Sequence, residues 1–492
     1  MITAALFALI SFLILVLAIL RQGRPTGYPP GPGWWPFVGN GFMLRKLARK
    51  LNGQHLALSK LAKDYGTSLL GLKLGGEYVV VGFTPSVVKE IMSRDEFIGR
   101  PDSFFLRLRC FGNREGVTGC DGPNWQKQRA FVVRHLKVFG MGKTTMEGLI
   151  RDELADLIRL LKEEAKPVSV GEILAPAILS VIWGLVAGKR LQRTDQKLQR
   201  LLQLLNRRSR AFDIAGGYLN QFPWLRFVAP EKVGYTLLTT MNAELKQFLT
   251  EMVEEHKSSY KPDVTRDLID AFLHEMYSGN DADVFTDSQL VVVLLDLFIA
   301  GSQTTSGTLD FAFLYMIKYP EIQEKVYDCL KDTVGMNSPP KLEDKPRLAY
   351  VEAVIAEVQR LCNVVPVAGP RRCLQETKLN GYIIPKNTTL LFSLLSLHMD
   401  EELFPDPQRF HPDRFLGPDG NFIRNNNFLP FGLGKRRCLG DILAKAFIFM
   451  VFAGIIQQFK VSTPKGDPEP TLTPLPGITL APAKYAAQFT PR

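Results

Sequence analysis

The sequence predicts a mainly α-helical fold: one large helical domain with a small β-sheet region, preceded by an N-terminal helix that spans a membrane. Three observations predict it. Residues 1–20 carry no charge and only Thr3 and Ser11 as polar residues. At 1.5 Å per residue they reach about 30 Å, the depth of a bilayer core. The stretches 286–319 and 439–459 are too long for strands and apolar enough to be helices. Strand signals, by contrast, are short, as in Tyr78-Val-Val-Val81 between Gly76 and Gly82.

Bulk properties narrow the function classes. With 46% apolar residues in 492 and no internal period, the chain is neither disordered nor a repeat protein. Its formal net charge of +11 points to an acidic partner or an anionic membrane face. No nucleic acid is expected, because the basic residues are scattered through apolar periodic segments and no recognition module appears. The six cysteines show no Cys-x-x-Cys spacing, which argues for reduced thiols rather than a disulfide frame or a zinc site. His274-Glu275 lacks the second histidine of a zinc-protease helix.

In chain order, Arg21 and Arg24 follow the apolar stretch and place the remainder in the cytosol. A cleaved signal peptide would need a positive start, a shorter apolar core and a small-residue cleavage site. Residues 21–40 hold Tyr28-Pro-Pro-Gly-Pro-Gly, an extended, stiff hinge. Residues 41–492 form the main domain, in which the asparagine sequon at Asn387 would be idle facing the cytosol.

Residues 104–118 read as irregular. A helix starts near Pro123 and puts Trp125 and Arg129 on one face, which by itself is an ordinary cation–π pair. Residues 146–276 are helical in pattern. The aromatic connector 221–229 reads either as a packed loop or as a roof that touches a bilayer. Thr286 with Gln289 makes a capping box, and Pro320 stops the helix between them. Inside that helix, Ala300-Gly301-Ser302-Gln303-Thr304-Thr305 weakens the backbone ladder and can open a local distortion. Glu357 and Arg360 share a helical face, and Pro412-Asp-Arg414-Phe415 follows.

The stretch with most chemistry in it is Phe431-Gly-Leu-Gly-Lys-Arg-Arg-Cys-Leu-Gly440. Cys438 precedes a buried helix, beside Lys435, Arg436 and Arg437. The helix dipole and these cations favour thiolate. Gly432, Gly434 and Gly440 let the backbone approach something flat and large. A phosphate loop is ruled out by Arg436 where Ser or Thr is needed, and by Leu429 where the first glycine belongs.

Phe431, Gly434, Arg436, Cys438 and Gly440 match the haem-binding motif of the cytochrome P-450 family, and the chain is identified as resembling its microsomal, haem-thiolate monooxygenase members. The resemblance implies the cytochrome P-450 fold, with haem b (iron protoporphyrin IX) as cofactor and Cys438 as the iron ligand. It implies that Trp125, Arg129, Arg371 and Arg436 neutralise the propionates, and that Ala300 lies against the cofactor. Thr304 would assist protonation of bound oxygen. Gln303 departs from the family's acid at that position, which cannot be replaced by an amide as a titrating group; water held by Thr304 and Gln303 would then carry the proton. Glu357, Arg360 and Arg414 would form a charged triad that locks the cysteine loop.

The partners implied are O2, a lipophilic substrate and an NADPH-dependent flavoprotein reductase docking on a basic face with Lys127, Arg134 and Lys137; a small cytochrome is a further electron donor. The location implied is the endoplasmic reticulum membrane. Two other readings share the cysteine motif: a haem-thiolate isomerase or dehydratase that needs no reductase, and a non-catalytic haem-binding protein. Residues 99–105, 134–140 and 298–306 look similar to insect members, some of which act on sesquiterpenoids, ecdysteroids or foreign compounds. A sesquiterpenoid ester is the first substrate expectation.

Overall fold

The computed structural model describes all residues except 1, 21–22, 37, 164–165, 212–218, 220–221, 280 and 282. Arg21, half of the expected positive flank, lies outside the described residues, as does Gln221 of the aromatic connector. Helices dominate: α1 (Ile2–Leu20), α2 (Gly41–Leu51), α3 (Gly122–Val138), α4 (Thr144–Glu163), α5 (Val170–Ala187), α6 (Asp287–Lys318), α7 (Ala349–Cys362) and α8 (Asp441–Gln458) set the frame. A four-stranded sheet runs β1 (Leu69–Leu74), β2 (Glu77–Gly82), β4 (Thr389–Ser393), β3 (Val367–Arg372). Its outer pairs are antiparallel and β2 lies parallel to β4, with Val80 opposite Leu390.

Helices α5, α6 and α8 are each apolar and long enough to cross a membrane, yet most of their residues are buried inside the globule. They form the main core with Phe298, Phe313, Phe447 and Phe452. Phe7, Phe12 and Ile14 of α1 are exposed instead, so the described middle of α1 presents apolar side chains outward.

Four local expectations change. Tyr28 is 5% exposed, and its hydroxyl donates to the carbonyls of Leu72 and Val79. Gly71 N–H donates to Pro30 O. From Tyr28 onward, the expected hinge is therefore docked on the sheet. Residues 104–109, expected to be irregular, form a short helix capped by Ser103. The capping box at α6 is half made: Thr286 Oγ1 accepts from Gln289 N, while the Gln289 amide turns to both backbone groups of Gly116. Finally, α6 runs unbroken over 32 residues. Gly301 does not open it; a side chain there would meet Ile182 Cδ1 at 2.4 Å, so the glycine lets α5 and α6 approach.

One half-buried acid on α6, Asp310, is not held by an ion pair among the described residues. Asp310 Oδ1 has no hydrogen-bond partner, and burial raises its carboxyl to about pKa 7. The groups facing it are Tyr485, whose hydroxyl donates to the Asp310 carbonyl, and the backbone at Gly171. The folded value lies above the unfolded one. Its stabilising contribution is thus complete below about pH 4 and lost as pH rises through about 7. Asp310→Asn is expected to melt a few degrees higher than wild type at pH 8 and at the same temperature near pH 4. Thermal unfolding across that range checks it; an equal shift at both pH values contradicts the assignment.

Candidate active site: a cysteine-lined cavity

Between α6 and the loop before α8 lies a cavity of ≈ 400 Å³, within the ~300–1,000 Å³ range of small-molecule and cofactor sites. Trp125 and Arg129 reach it from α3, and Ile182, Leu185 and Val186 from α5. Asp296, Leu297, Ala300, Gly301 and Thr304 come from α6, and Arg371 from β3. Phe431, Arg436, Cys438 and Gly440 close it from the loop. Nine of the eleven residues singled out in the sequence thus meet in one place.

Two of them do not. Gln303 is not among the lining residues: the stripe 296, 300, 304, 308 follows the i+4 spacing of a helix, and position 303 falls past its edge. Gly434 also stays outside. It has φ +74°, and a side chain would meet Met92 O at 2.4 Å, so the glycine lets the loop lie against the backbone of Met92.

The loop itself is tied internally. Cys438 N–H donates to Phe431 O, Arg437 N–H to Gly434 O, and Gly432 N–H to Leu429 O. From there a chain of bonds leads to the core. Leu429 N–H donates to Nε2 of His398, whose carbonyl accepts from Arg360 Nη1 at 2.8 Å. The His398 ring is buried, and desolvation, then the neighbouring Arg360 charge, push it down to about pKa 3; it is a neutral acceptor. Arg360 and Glu357 are fully buried and paired through two bonds, 2.7 and 2.8 Å. Arg414 Nε adds a third bond to Glu357 at 3.0 Å. The charged triad exists, and its link to the cysteine loop runs through His398.

The electrostatics around Cys438 differ from expectation. Burial pushes the thiol above its ordinary pKa, against the lowering effects of the Gly440 N–H, Arg129 and Lys445. Two of the three cations next to it in sequence are directed elsewhere. Lys435 pairs with Asp95 on the surface. Arg436 turns inward, donates to the carbonyls of Ile98, Val117 and Cys120, and stacks on Trp125 at 3.7 Å. A neutral thiol is favoured until a cation binds it, since a coordinating thiol is deprotonated outright.

Thr304 Oγ1 donates to Ala300 O at 2.7 Å, the ordinary i−4 bond of a helical hydroxyl. Its lone pairs remain free to accept a further bond. Sequence reading missed two contributors. Arg100 lines the cavity with Nε unpartnered, its pKa lowered first by burial and then by Arg109. Asp296 accepts from Val117 N and Thr118 N at 2.8 and 2.7 Å, pinning the cavity rim to α6. Neither stands in a recognisable pattern; an arginine among 60 scattered basic residues gives no signal until the chain folds.

These residues fit a large, flat, anionic ring bearing a metal. A thiol lines one wall and the small Ala300 and Gly301 line α6. Arg100, Arg129 and Arg371 gather where only Asp296 is acidic, and Asp296 is already engaged. Trp125 Nε1 is buried without a hydrogen-bond partner, a donor waiting for an acceptor.

The comparisons with known proteins agree. A family model described as Cytochrome P450 matches residues 29–489. The chain is 44% identical to the probable cytochrome P450 305a1 of Drosophila melanogaster over 98% of both chains. It is 38% identical to the farnesoate epoxidase of Bombyx mori over 98% of this chain and 97% of that one. With cytochrome P450 2J5 of Mus musculus it shares 35% over 99% and 95%. With the cysteine cavity, the helical architecture and near-complete coverage in agreement, the chain belongs to the cytochrome P450 family.

Proposed function

We propose that Cys438 ligates the iron of haem b and that the enzyme epoxidises or hydroxylates a sesquiterpenoid-like lipophilic ester. The enzyme class and cofactor follow from the family: a monooxygenase that uses haem b and acts on a lipophilic substrate with O2 and a redox partner. Haem, when bound, supplies the oxygen activation. Everything else falls to the chain. Arg100, Arg129, Arg371 and Trp125 hold the propionates, and Arg436 positions Trp125 and the rim. Ile182, Leu185, Val186, Leu297 and Val364 exclude water and receive an apolar substrate. Thr304 accepts and passes a proton at Oγ1, with Gln303 too far round the helix to share in it.

The observation that carries this reading is the gathering of Cys438, Thr304 and the arginines on a single, largely apolar cavity. The ester is suggested by the relative that is a farnesoate epoxidase. We place the chain at the endoplasmic reticulum membrane, anchored by α1, with the domain facing the cytosol. The electron donor is an NADPH-dependent flavoprotein reductase. Lys127 and Arg134 are spent on Asp281 and Glu275, so its docking face rests on Lys137, Arg437 and Lys445.

Purified enzyme, reductase and a pooled panel of terpenoid esters, ecdysteroids and fatty acids test it. NADPH loss should accompany a product of the ester heavier by one oxygen atom. Products of unchanged mass without NADPH use would instead favour an isomerase.

A further inference from the structure

A second cavity lies apart from the catalytic one, and no described residue lines both. Its volume is ≈ 600 Å³, within the ~300–1,000 Å³ range of small-molecule sites. One wall is α4, the other is the segment 336–339, and Gln458 at the end of α8 closes it. Helix α8 starts just past Cys438 and runs 18 residues before reaching this site. At 1.5 Å per residue that is roughly 27 Å, so a molecule bound here does not touch the catalytic cavity.

The walls are fixed by the fold. Leu154 on the floor is buried and belongs to the main core. The buried Gln457 donates from Nε2 to the carbonyls of Gly335 and Ser338, at 2.7 and 2.9 Å. Leu342 N–H donates to Glu147 Oε1 on α4 at 3.2 Å. The segment opposite α4 is thus tied to both helices.

Along α4, Arg151, Ala155, Ile158 and Lys162 stand at i, i+4, i+7 and i+11, on one face. The middle of that stripe is apolar, with Met336 and Pro339 on the opposite wall. Its ends are cationic. Arg151 and Lys162 are exposed, and their side chains make no ion pair or hydrogen bond among the described residues. Arg159 pairs with Asp156, yet Asp156 is shared with Arg190. Against these three cations, the lining residues hold one carboxylate, Glu163. An apolar trough under a positive rim concentrates molecules that are both oily and anionic.

We propose that this cavity binds a long-chain carboxylate, with its chain on Leu154, Ala155, Ile158 and Met336 and its head at Arg159 and Lys162. Those two cations stand one turn apart and offer charge-assisted hydrogen bonds to a single head group. A singly charged head suits the site, because a doubly charged one would crowd Glu163. From Arg151 to Lys162 the stripe extends roughly 16 Å, the length of a chain of about twelve carbons. Met336, unbranched and adaptable, can follow the bends of such a chain.

The test uses the full, haem-loaded chain with an imidazole ligand held on the haem iron, so that the catalytic cavity is already occupied. A dodecanoic acid carrying a diazirine in its chain is photo-crosslinked to it, and the adducts are mapped by peptide mass spectrometry. Adducts are expected on residues 154–158 and 336–339. Dodecanoate should compete for them. Dodecanol, which lacks the charge, and butyrate, which lacks the chain, should not. Lys162→Glu should lower this labelling on the order of five-fold, the upper end for one exposed charge contact. Ala155→Trp, which fills the trough and leaves the cations in place, should remove it. Both residues are exposed, and unchanged melting and haem content show that the variants fold; the wild-type competition decides the matter where one does not. Adducts absent from both segments, dodecanol competing as well as dodecanoate, or labelling that survives either substitution overturns the proposal.

Discussion

Cys438→Ser is expected to abolish oxygen insertion, with product falling at least ~1,000-fold, while the chain remains folded. The Cys438 side chain lines the cavity rather than the core, so shortening its reach and softness removes no packing. The backbone bond from residue 438 to Phe431 O does not depend on the side chain. What is lost is the one group able to give up its proton to a metal and share electron density with it. A serine hydroxyl stays protonated at neutral pH and is a hard, weak partner for iron. Product mass spectrometry with circular dichroism and melting checks both halves. Retained turnover would remove Cys438 from the chemistry, and a collapsed melting curve would make it structural.

The second large effect concerns stability. Glu357→Gln should destabilise the chain by about 3–5 kcal/mol, because it leaves the buried guanidinium of Arg360 without its counter-charge. Glu357 accepts from Arg360 twice, from Arg414 Nε and from His411 N–H. An amide can accept at one atom only and presents donors to donors at the other. Denaturant unfolding measures the loss, a large share of a typical folding free energy. Hydrogen exchange adds a finer readout: Arg360 holds His398, and His398 holds Leu429, so the amides of Leu429 and Cys438 should exchange faster. Breaking the exposed pair Lys435–Asp95 by Lys435→Ala should leave both measurements unchanged. Equal protection in Glu357→Gln would disconnect the triad from the cysteine loop.

The sequence made the cysteine loop, α6, α8 and the triad legible for a physical reason. Each is specified by residues close together in the chain: a ten-residue motif, a capping threonine with a stopping proline, an i, i+3 charge pair. What stayed hidden depends on contacts between distant segments. Gly301 reads as a weak point in a helix, and only the approach of Ile182 shows it to be a packing device. Arg436 reads as a propionate ligand, yet its three carbonyl partners come from residues 98–120. Gly434 reads as part of the cysteine motif, and only the fold shows that it lies against the backbone of Met92. The thiol of Cys438 reads as acidic from neighbouring charges, but folding points two of those charges away and sets the sulfur in the wall of a largely apolar cavity. Tyr28 reads as the start of a free hinge because nothing local reveals that its hydroxyl has two partners on the sheet.

The arginines around the cavity have a further consequence for the life of the protein in a cell. Burial and repulsion from neighbouring arginines lower the pKa of Arg100, Arg371 and Arg436: burial is the largest cause in each, followed by Arg109 for Arg100 and by Arg100 for the other two. An anionic cofactor removes that repulsion, so binding free energy and folding free energy are shared. A newly made chain that meets no haem is then held together less firmly and spends more time open to proteases. Haem supply would thereby set the amount of this enzyme after translation, with the cluster of guanidinium groups acting as the gauge.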